Sequence, residues 1–176
     1  SIKMRWLITG GCGFIGTSLA QFLIKTQTDD TQILAFDNLK VGSLHDLGSV
    51  SAFENVTNRS SNFWPSKLNF FEGDITNFQT ICNLTANCDV IVHLAANTGV
   101  APSVVNPFMD AKVNVFGTLN LLEASKINSV KKFIFASSGA PLGEKVPPLH
   151  EELAPKPNSP YGASKLAGEG YCSAYY

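Results

Sequence analysis

Long apolar runs are missing from this chain, and so is any excess of charge. No stretch reaches the length of a membrane-spanning helix, and the start lacks the basic segment, apolar core and cleavage site of an export signal. With 13 Lys and Arg against 14 Asp and Glu the net charge is −1, so neither nucleic acid nor an anionic membrane surface is implied as a partner. Cysteine is scarce: Cys12, Cys82, Cys88 and Cys172 form no C-x-x-C pair, and no His/Cys cluster has metal-ligand spacing. No metal site is therefore expected, and the thiols read as buried groups in a reducing, cytoplasmic compartment. In that compartment the N-x-[ST] triplets at Asn55, Asn58 and Asn83 carry no sugar. Repeats and low-complexity tracts are also absent, which leaves 176 residues for one ordinary domain with a sizeable core.

What the chain does have is glycine in one telling place. The apolar run Trp6-Leu7-Ile8 stops in Thr9-Gly10-Gly11-Cys12-Gly13-Phe14-Ile15-Gly16, and an amphipathic pattern follows, with Ile15, Leu19, Phe22 and Leu23 on one helical face. A strand, a tight loop and a helix are predicted. Glycines let backbone N–H groups approach a pyrophosphate, and the helix N-terminus adds partial positive charge. The glycines fit Gly10-x-x-Gly13-x-x-Gly16 or Gly11-x-Gly13-x-x-Gly16, the second being the dinucleotide fingerprint. A second apolar run, Ile33-Leu34-Ala35-Phe36, ends in Asp37 about 20 residues past the last glycine. An acid there is placed to bind the two hydroxyls of an adenosine ribose, and its charge repels a 2′-phosphate, so NAD is expected rather than NADP.

Strand-like runs recur near 4–9, 33–37, 68–71, 89–94 and 131–136, with helical patterns near 14–26, 77–86, 107–127 and 160–176. That alternation predicts an α/β fold, a Rossmann-type doubly wound parallel sheet with strand order 3-2-1-4-5. The polar stretch 48–67 reads as a loop or short helical excursion, and the proline-rich 139–159 as a long irregular connection of the kind that carries function. The pattern stops inside a helix with no sixth strand on the second half of the sheet. We therefore expect residues 1–176 to be a dinucleotide-binding domain incomplete at its C-terminus, with a substrate-binding domain absent from the chain.

Ser159-Pro160-Tyr161-Gly162-Ala163-Ser164-Lys165 places a capping serine, a proline at the first helical position, and Tyr161 and Lys165 on one face. A nearby ammonium and a helix N-terminus both lower a phenol's pKa, so Tyr161 is a candidate general base.

Taken with Gly73-Asp74-Ile75, His93-Leu94-Ala95-Ala96, Asn114-Val115-Phe116-Gly117-Thr118 and Ala136-Ser137-Ser138, these motifs resemble the extended short-chain dehydrogenase/reductase family along essentially the whole chain. The likeness is greatest to its NAD-dependent nucleotide-sugar epimerase/dehydratase group, of the UDP-glucose 4-epimerase kind. The resemblance implies that Gly10, Gly13, Phe14, Ile15 and Gly16 hold the pyrophosphate, Asp37 and Asn38 the adenosine ribose, and Asp74 and Ile75 the adenine. It implies that Leu94, Ala95 and Ala96 line the crevice with Asn114 behind them, that Ser137 lies on the cofactor side, and that Lys165 grips the nicotinamide ribose. Ser138, Tyr161 and Lys165 are then the catalytic residues, with Ser138 bonding the sugar hydroxyl under oxidation. By the same resemblance the chain pairs as a homodimer, its helices near 107–127 and 160–176 forming a four-helix bundle; Val115, Leu119, Leu122, Leu166 and Tyr171 are the expected apolar surface.

Two plainer roles stand beside these: His93 reads as a satisfied core histidine and Asn114 as a helix cap. A strand-end serine satisfying backbone groups suits Ser137 better than Ser138. The chain departs from the family at Gly139-Ala140-Pro141-Leu142-Gly143, where a Val-Tyr-Gly is usual. Sugar 4,6-dehydratases carry an Asp-Glu pair directly after the serine or threonine, whereas Gly139 and Ala140 can serve neither as acid nor as base. The implied reaction is thus epimerisation of a nucleotide sugar, a UDP-hexose at C4, through a transient keto-sugar with Tyr161 as base. The alternatives are a dehydratase or dehydrogenase of the same family, or a non-catalytic NAD sensor that would be expected to lack Tyr161 or Lys165.

Overall fold

The apolar runs become the middle of one parallel sheet in the computed structural model, which describes residues 3–27, 29–59 and 62–176. Its strands are β1 (Met4–Thr9), β2 (Thr31–Asp37), β3 (Glu54–Asn55), β4 (Leu68–Glu72), β5 (Val90–His93) and β6 (Lys132–Phe135). They lie in the order β3-β4-β2-β1-β5-β6, all parallel. Leaving out the two-residue β3, this is the expected 3-2-1-4-5. β3 is an extra edge strand inside the stretch read as a loop, too short and too exposed to show in a hydropathy pattern. Ser60 and Ser61 of that stretch lie outside the described residues.

Between the strands run α1 (Phe14–Thr26), α2 (Leu44–Val50), α3 (Phe78–Leu84), α4 (Val100–Val105), α5 (Pro107–Ala111), α6 (Gly117–Ile127) and α7 (Pro160–Tyr175). A π-helical turn over Lys112–Phe116 joins α5 to α6, so the helix expected over 107–127 is continuous but locally unwound. Short α2 and α4 were not anticipated, because six or seven residues cannot establish a helical period.

Alternate residues of each strand face opposite layers. Leu7, Leu34, Phe36 and Ile91 pack with Ile81, Leu84, Leu121 and Ala124 of α3 and α6. Ile8, Ile33, Ala35, Phe70 and Val92 pack with Ala20 and Leu23 of α1 and Leu47 of α2. β2 is buried on both faces, which is why it reads as an unbroken apolar run. The chain leaves β1 toward β2 and β4 on one side and returns to β5 and β6 on the other, opening a crevice at the carboxyl ends of β1 and β5.

Candidate functional site

A cleft of about 450 Å³ occupies that crevice, lined by Gly10, Gly13, Phe14, Ile15, Gly16, Asp37, Asn38, Asp74, Ile75, Leu94, Ala95 and Ala96, among others. All the residues assigned above to pyrophosphate, adenosine and crevice therefore meet on one surface. Gly13 stands at the N-cap of α1 and brings no side chain to cap it, so the first-turn N–H groups are not taken up by a neighbouring side chain. Gly10 holds a φ of 65°, and a Cβ there would stand 3.0 Å from the Ala95 nitrogen. The glycine thus brings the β1 loop and the β5 loop into contact.

Asp37 fixes the loops on either side. One carboxylate oxygen accepts from the Cys12 nitrogen at 3.0 Å and the other from the Leu39 nitrogen at 2.9 Å. The second bond holds Leu39 in the left-handed region at φ 59°, unusual for a leucine. Beneath this loop the Cys12 thiol is pushed up to about 12 by burial, with Asp37 and Asp46 adding to the effect, so it is an inert packing group. Burial alone would raise the Asp74 carboxyl, but the Thr76 nitrogen and hydroxyl, with Lys112 and Lys40, hold it below the usual carboxylate value. Those two lysines also line the cleft and were not singled out in the sequence, where isolated lysines carry no spacing signal.

Tyr161 and Lys165 lie on α7, whose first turn is closed internally. Ser159 accepts from the Gly162 nitrogen at 3.0 Å, Pro160 has no N–H, and Ser103 of α4 accepts from the Tyr161 nitrogen at 3.0 Å. This end, unlike that of α1, has no donor left for an anion. Ser103 is fully buried and also donates to the Val100 carbonyl, tying the Tyr161 turn to the wall after β5. Lys165 is 5% exposed; its Nζ donates to the Ala136 carbonyl at 2.6 Å and stands 4.4 Å from the centre of the Phe135 ring. Burial lowers its pKa, and the nearby Glu169, Cys172 and Asp110 raise it again. Among the described residues the ammonium makes one hydrogen bond, leaving two protons for a ligand.

Of the two serines, it is Ser138 rather than Ser137 that bonds a backbone group. Ser138 accepts from the Ala140 nitrogen at 3.1 Å, and Ser137 donates to Glu169 of α7. It is Ser138 that satisfies the strand-end backbone, because the chain turns at once into a 3₁₀ turn over Ala140–Leu142. Its hydrogen remains free to donate.

Asn114 does not cap a helix. It lies buried in the π-helical turn, where Oδ1 accepts from the Asn97 nitrogen at 2.8 Å and Nδ2 lies within 3.1 Å of the Asn97 carbonyl, Asp110 Oδ1 and Ser164 Oγ. The wider turn gives one side chain access to α5, α7 and the loop after β5 together. Asp110 and Ser164 here, and Ser103 beside Tyr161, were not singled out in the sequence. Only the four-residue spacing from Asp110 to Asn114 could have pointed to them.

His93 is buried with both ring nitrogens bonded, Nδ1 to the Thr9 hydroxyl at 2.6 Å and Nε2 to the Thr118 hydroxyl at 3.0 Å. Thr9 already accepts from the Leu94 and Ala95 nitrogens, and Thr118 donates to the Asn114 carbonyl. Thr9 must then donate to Nδ1 and Thr118 accept from Nε2–H, which assigns a neutral ring. Burial, with Lys165 second, lowers its pKa to about 3 against an ordinary 6.5. A folded value below the unfolded one means that the neutral ring stabilises the fold fully above about pH 6.5. That contribution is lost as pH falls toward about 3, at roughly 1.4 kcal/mol per unit. Thermal melts across this window should show that slope, and a His93→Gln variant should lack it. An equal slope in the two would mean that other groups carry the acid sensitivity.

No group of three or more His, Cys, Asp or Glu able to hold a metal ion occurs among the described residues, and none of the described helices is long and apolar enough to cross a membrane. The four cysteines are free thiols. The expected dimer surface needs correction: Leu122 is fully buried in the chain's own core, and Val115 and Leu119 are half-buried. The large apolar groups exposed on α5 to α6 are instead Phe108, Met109, Phe116 and Ile127.

Residues 7–176 match the family model of GDP-mannose 4,6 dehydratase. A UDP-glucuronate 4-epimerase of Thermodesulfobacterium geofontis is 36% identical over 174 residues, 97% of this chain and 51% of that protein. The UDP-glucose 4-epimerase of Thermus thermophilus, solved in complex with NAD, superposes with a TM-score of 0.78 at 32% identity, covering 98% of this chain and 50% of that one. The dTDP-glucose 4,6-dehydratase of Streptomyces venezuelae, solved with NAD bound, superposes at 0.81 and 30% identity, covering 98% and 51%. The chain spans about half the length of the curated relatives it matches. With its glycine loop, Rossmann sheet and Tyr161-x-x-x-Lys165 helix, it belongs to the nucleotide-sugar epimerase/dehydratase family of short-chain dehydrogenase/reductase type.

Proposed function

We propose that the protein carrying this chain is an NAD-dependent epimerase of a nucleotide sugar, a UDP-hexose at C4. The observation that carries the reading is the cleft whose glycine loop and Asp37 suit a dinucleotide, together with the closed first turn of α7, which bears Tyr161 and Lys165 outside the cleft's own lining and packs on α5, whose Met109 does line it. The residues present fit NAD. α1 offers uncapped N–H groups, Asp37 keeps a carboxylate at the ribose end, and a Cβ on Gly16 would fill the loop where the pyrophosphate must approach.

In this reading the backbone of Phe14 and Ile15 holds the pyrophosphate, Asp37 and Asn38 the adenosine ribose, and Asp74 and Ile75 flank the adenine. Lys165 uses its spare protons on the nicotinamide ribose. Tyr161 takes the proton of the sugar hydroxyl, and Ser138 donates to the same oxygen with the hydrogen its backbone bond leaves free. NAD held by these residues would supply a reversible hydride acceptor, so that the sugar could be oxidised and re-reduced with no net redox change. Dehydration is disfavoured, since Gly139 and Ala140 bring no carboxyl group beside Ser138.

The reaction is proposed for a homodimer in a reducing compartment, with Phe108, Phe116 and Tyr171 among the exposed apolar groups on the paired helices. Light scattering that finds a monomer would remove the dimer from the proposal. The activity is tested on the whole protein, by following interconversion of UDP-glucose and UDP-galactose with NAD or NADP. Turnover with NAD and no accumulation of reduced cofactor is expected. Loss of water from the sugar, steady reduction of the cofactor, or equal use of NADP would overturn the reading. Residues 1–176 by themselves are expected to bind NAD without turning over the sugar.

A further inference from the structure

One buried carboxylate has no part in the scheme above. Asp110 of α5 is 1% exposed, and only its Oδ1 has a partner, the Asn114 amide at 3.1 Å; among the described residues Oδ2 is buried with none. A half-bonded buried carboxylate is costly unless an opposite charge stands near it. The buried cation available to it is Lys165, on the helix that α5 packs against. Asn114 Nδ2 also lies 3.1 Å from Ser164 Oγ, and Ser164 donates to the Tyr161 carbonyl at 3.0 Å, so Asp110 is joined through two side chains to the turn bearing Tyr161 and Lys165. Lys165 is itself 5% exposed and has only a carbonyl and an aromatic ring as direct neighbours for its charge.

We propose that Asp110 is the buried counter-charge of Lys165, and so a positioning residue for the Tyr161–Lys165 pair. The proposal rests on the reading of Tyr161 as base. On Lys165's own helix stand Tyr161, Glu169 and Cys172; from α5 comes Asp110; the π-helical turn carries the exposed Lys112, and α6 the half-buried Glu123, bonded by Tyr175, and the exposed Lys126; from β5 comes His93, kept neutral by burial first and by the ammonium second; the end of β6 offers only the Phe135 ring and the Ala136 carbonyl. Glu169 is exposed, where water screens its charge, whereas Asp110 is buried like the lysine. α4, which also packs on α7, carries no titratable group. Asp110 is thus the one fully buried anion available to a buried cation among the described residues.

Removing that charge favours loss of a proton from the pair, either from the phenol or from the ammonium, and only the first product is the working base. In the whole protein, Asp110→Asn should therefore move the acid limb of kcat/KM to lower pH by about one unit and lower the plateau, because part of the pair then holds a neutral lysine. Glu169→Gln should move the limb less. A second measurement covers the case in which Asp110→Asn folds poorly. In a cycle of thermal midpoints with Lys165→Met, the double variant should lose less than the sum of the single losses, or regain a fold that Asp110→Asn has lost, since no uncompensated ammonium remains. An unmoved acid limb, or additive losses in the cycle, would overturn the counter-charge. If Tyr161→Phe retains activity, the reading of the base fails, and the midpoint cycle still decides the Asp110–Lys165 pair separately.

Discussion

Replacing Tyr161 by Phe should abolish turnover while leaving the fold and NAD affinity in place. The expected loss is about a hundredfold or more, because general-base catalysis by a positioned side chain contributes roughly 10² to 10⁴. The case for selectivity is structural. The phenol oxygen makes no hydrogen bond among the described residues, so its removal leaves no neighbour unsatisfied, and the helix end is fixed through backbone groups that phenylalanine keeps. Ser103 holds the residue's nitrogen and Ser164 its carbonyl whatever the side chain is. Turnover on UDP-sugars measured beside calorimetric NAD titration checks both halves. A loss below about tenfold, roughly 1.4 kcal/mol of barrier, would show that another group moves the proton. A parallel loss of NAD affinity would show that the ring is part of the cofactor site.

The cleft was legible in the sequence because each of its parts is a local pattern. The Gly10–Gly16 loop, the acid ending β2, and the Leu94-Ala95-Ala96 turn each sit where an apolar run stops, and a doubly wound sheet brings those ends together by topology alone. The layer behind Tyr161 was not legible. Ser103, Asp110 and Ser164 come from three separate helices, and Asp110 and Ser164 are joined only through Asn114 in the π-helical turn at Lys112–Phe116, which no hydrophobic period announces. The turn also explains why Asn114 is not the helix cap offered as its alternative role. His93 read correctly as a core residue, yet its tautomer needed the distances to Thr9 and Thr118. That the backbone bond falls to Ser138 and not to Ser137 follows from the 3₁₀ turn after β6, a feature that Pro141 alone could not specify.

Gly16→Ala should weaken NAD binding about a hundredfold and lower the stability of the fold by roughly 1 to 3 kcal/mol, the range seen when a tight interior is overfilled. Gly16 is buried in the first turn of α1, and a Cβ there would lie 2.4 Å from the Gly10 carbonyl oxygen and 2.8 Å from the Gly11 Cα. Both obstacles are backbone, so no side chain can rotate away; the loop must move from the helix that it delivers to the pyrophosphate. Gly170 supplies the control within the same protein. It lies in α7 with nothing within 4 Å of a built Cβ, so Gly170→Ala should stabilise by about 0.5 to 1 kcal/mol through the lost freedom of the unfolded chain. The pair separates two meanings of glycine that composition alone cannot distinguish, close approach at Gly16 and mere tolerance at Gly170. Thermal melts and calorimetric NAD titration of the two variants decide the matter. A Gly16→Ala protein that binds NAD as the parent does would mean the loop yields at no cost, and the close contact of Gly16 with Gly10 and Gly11 would then not be what shapes the phosphate site.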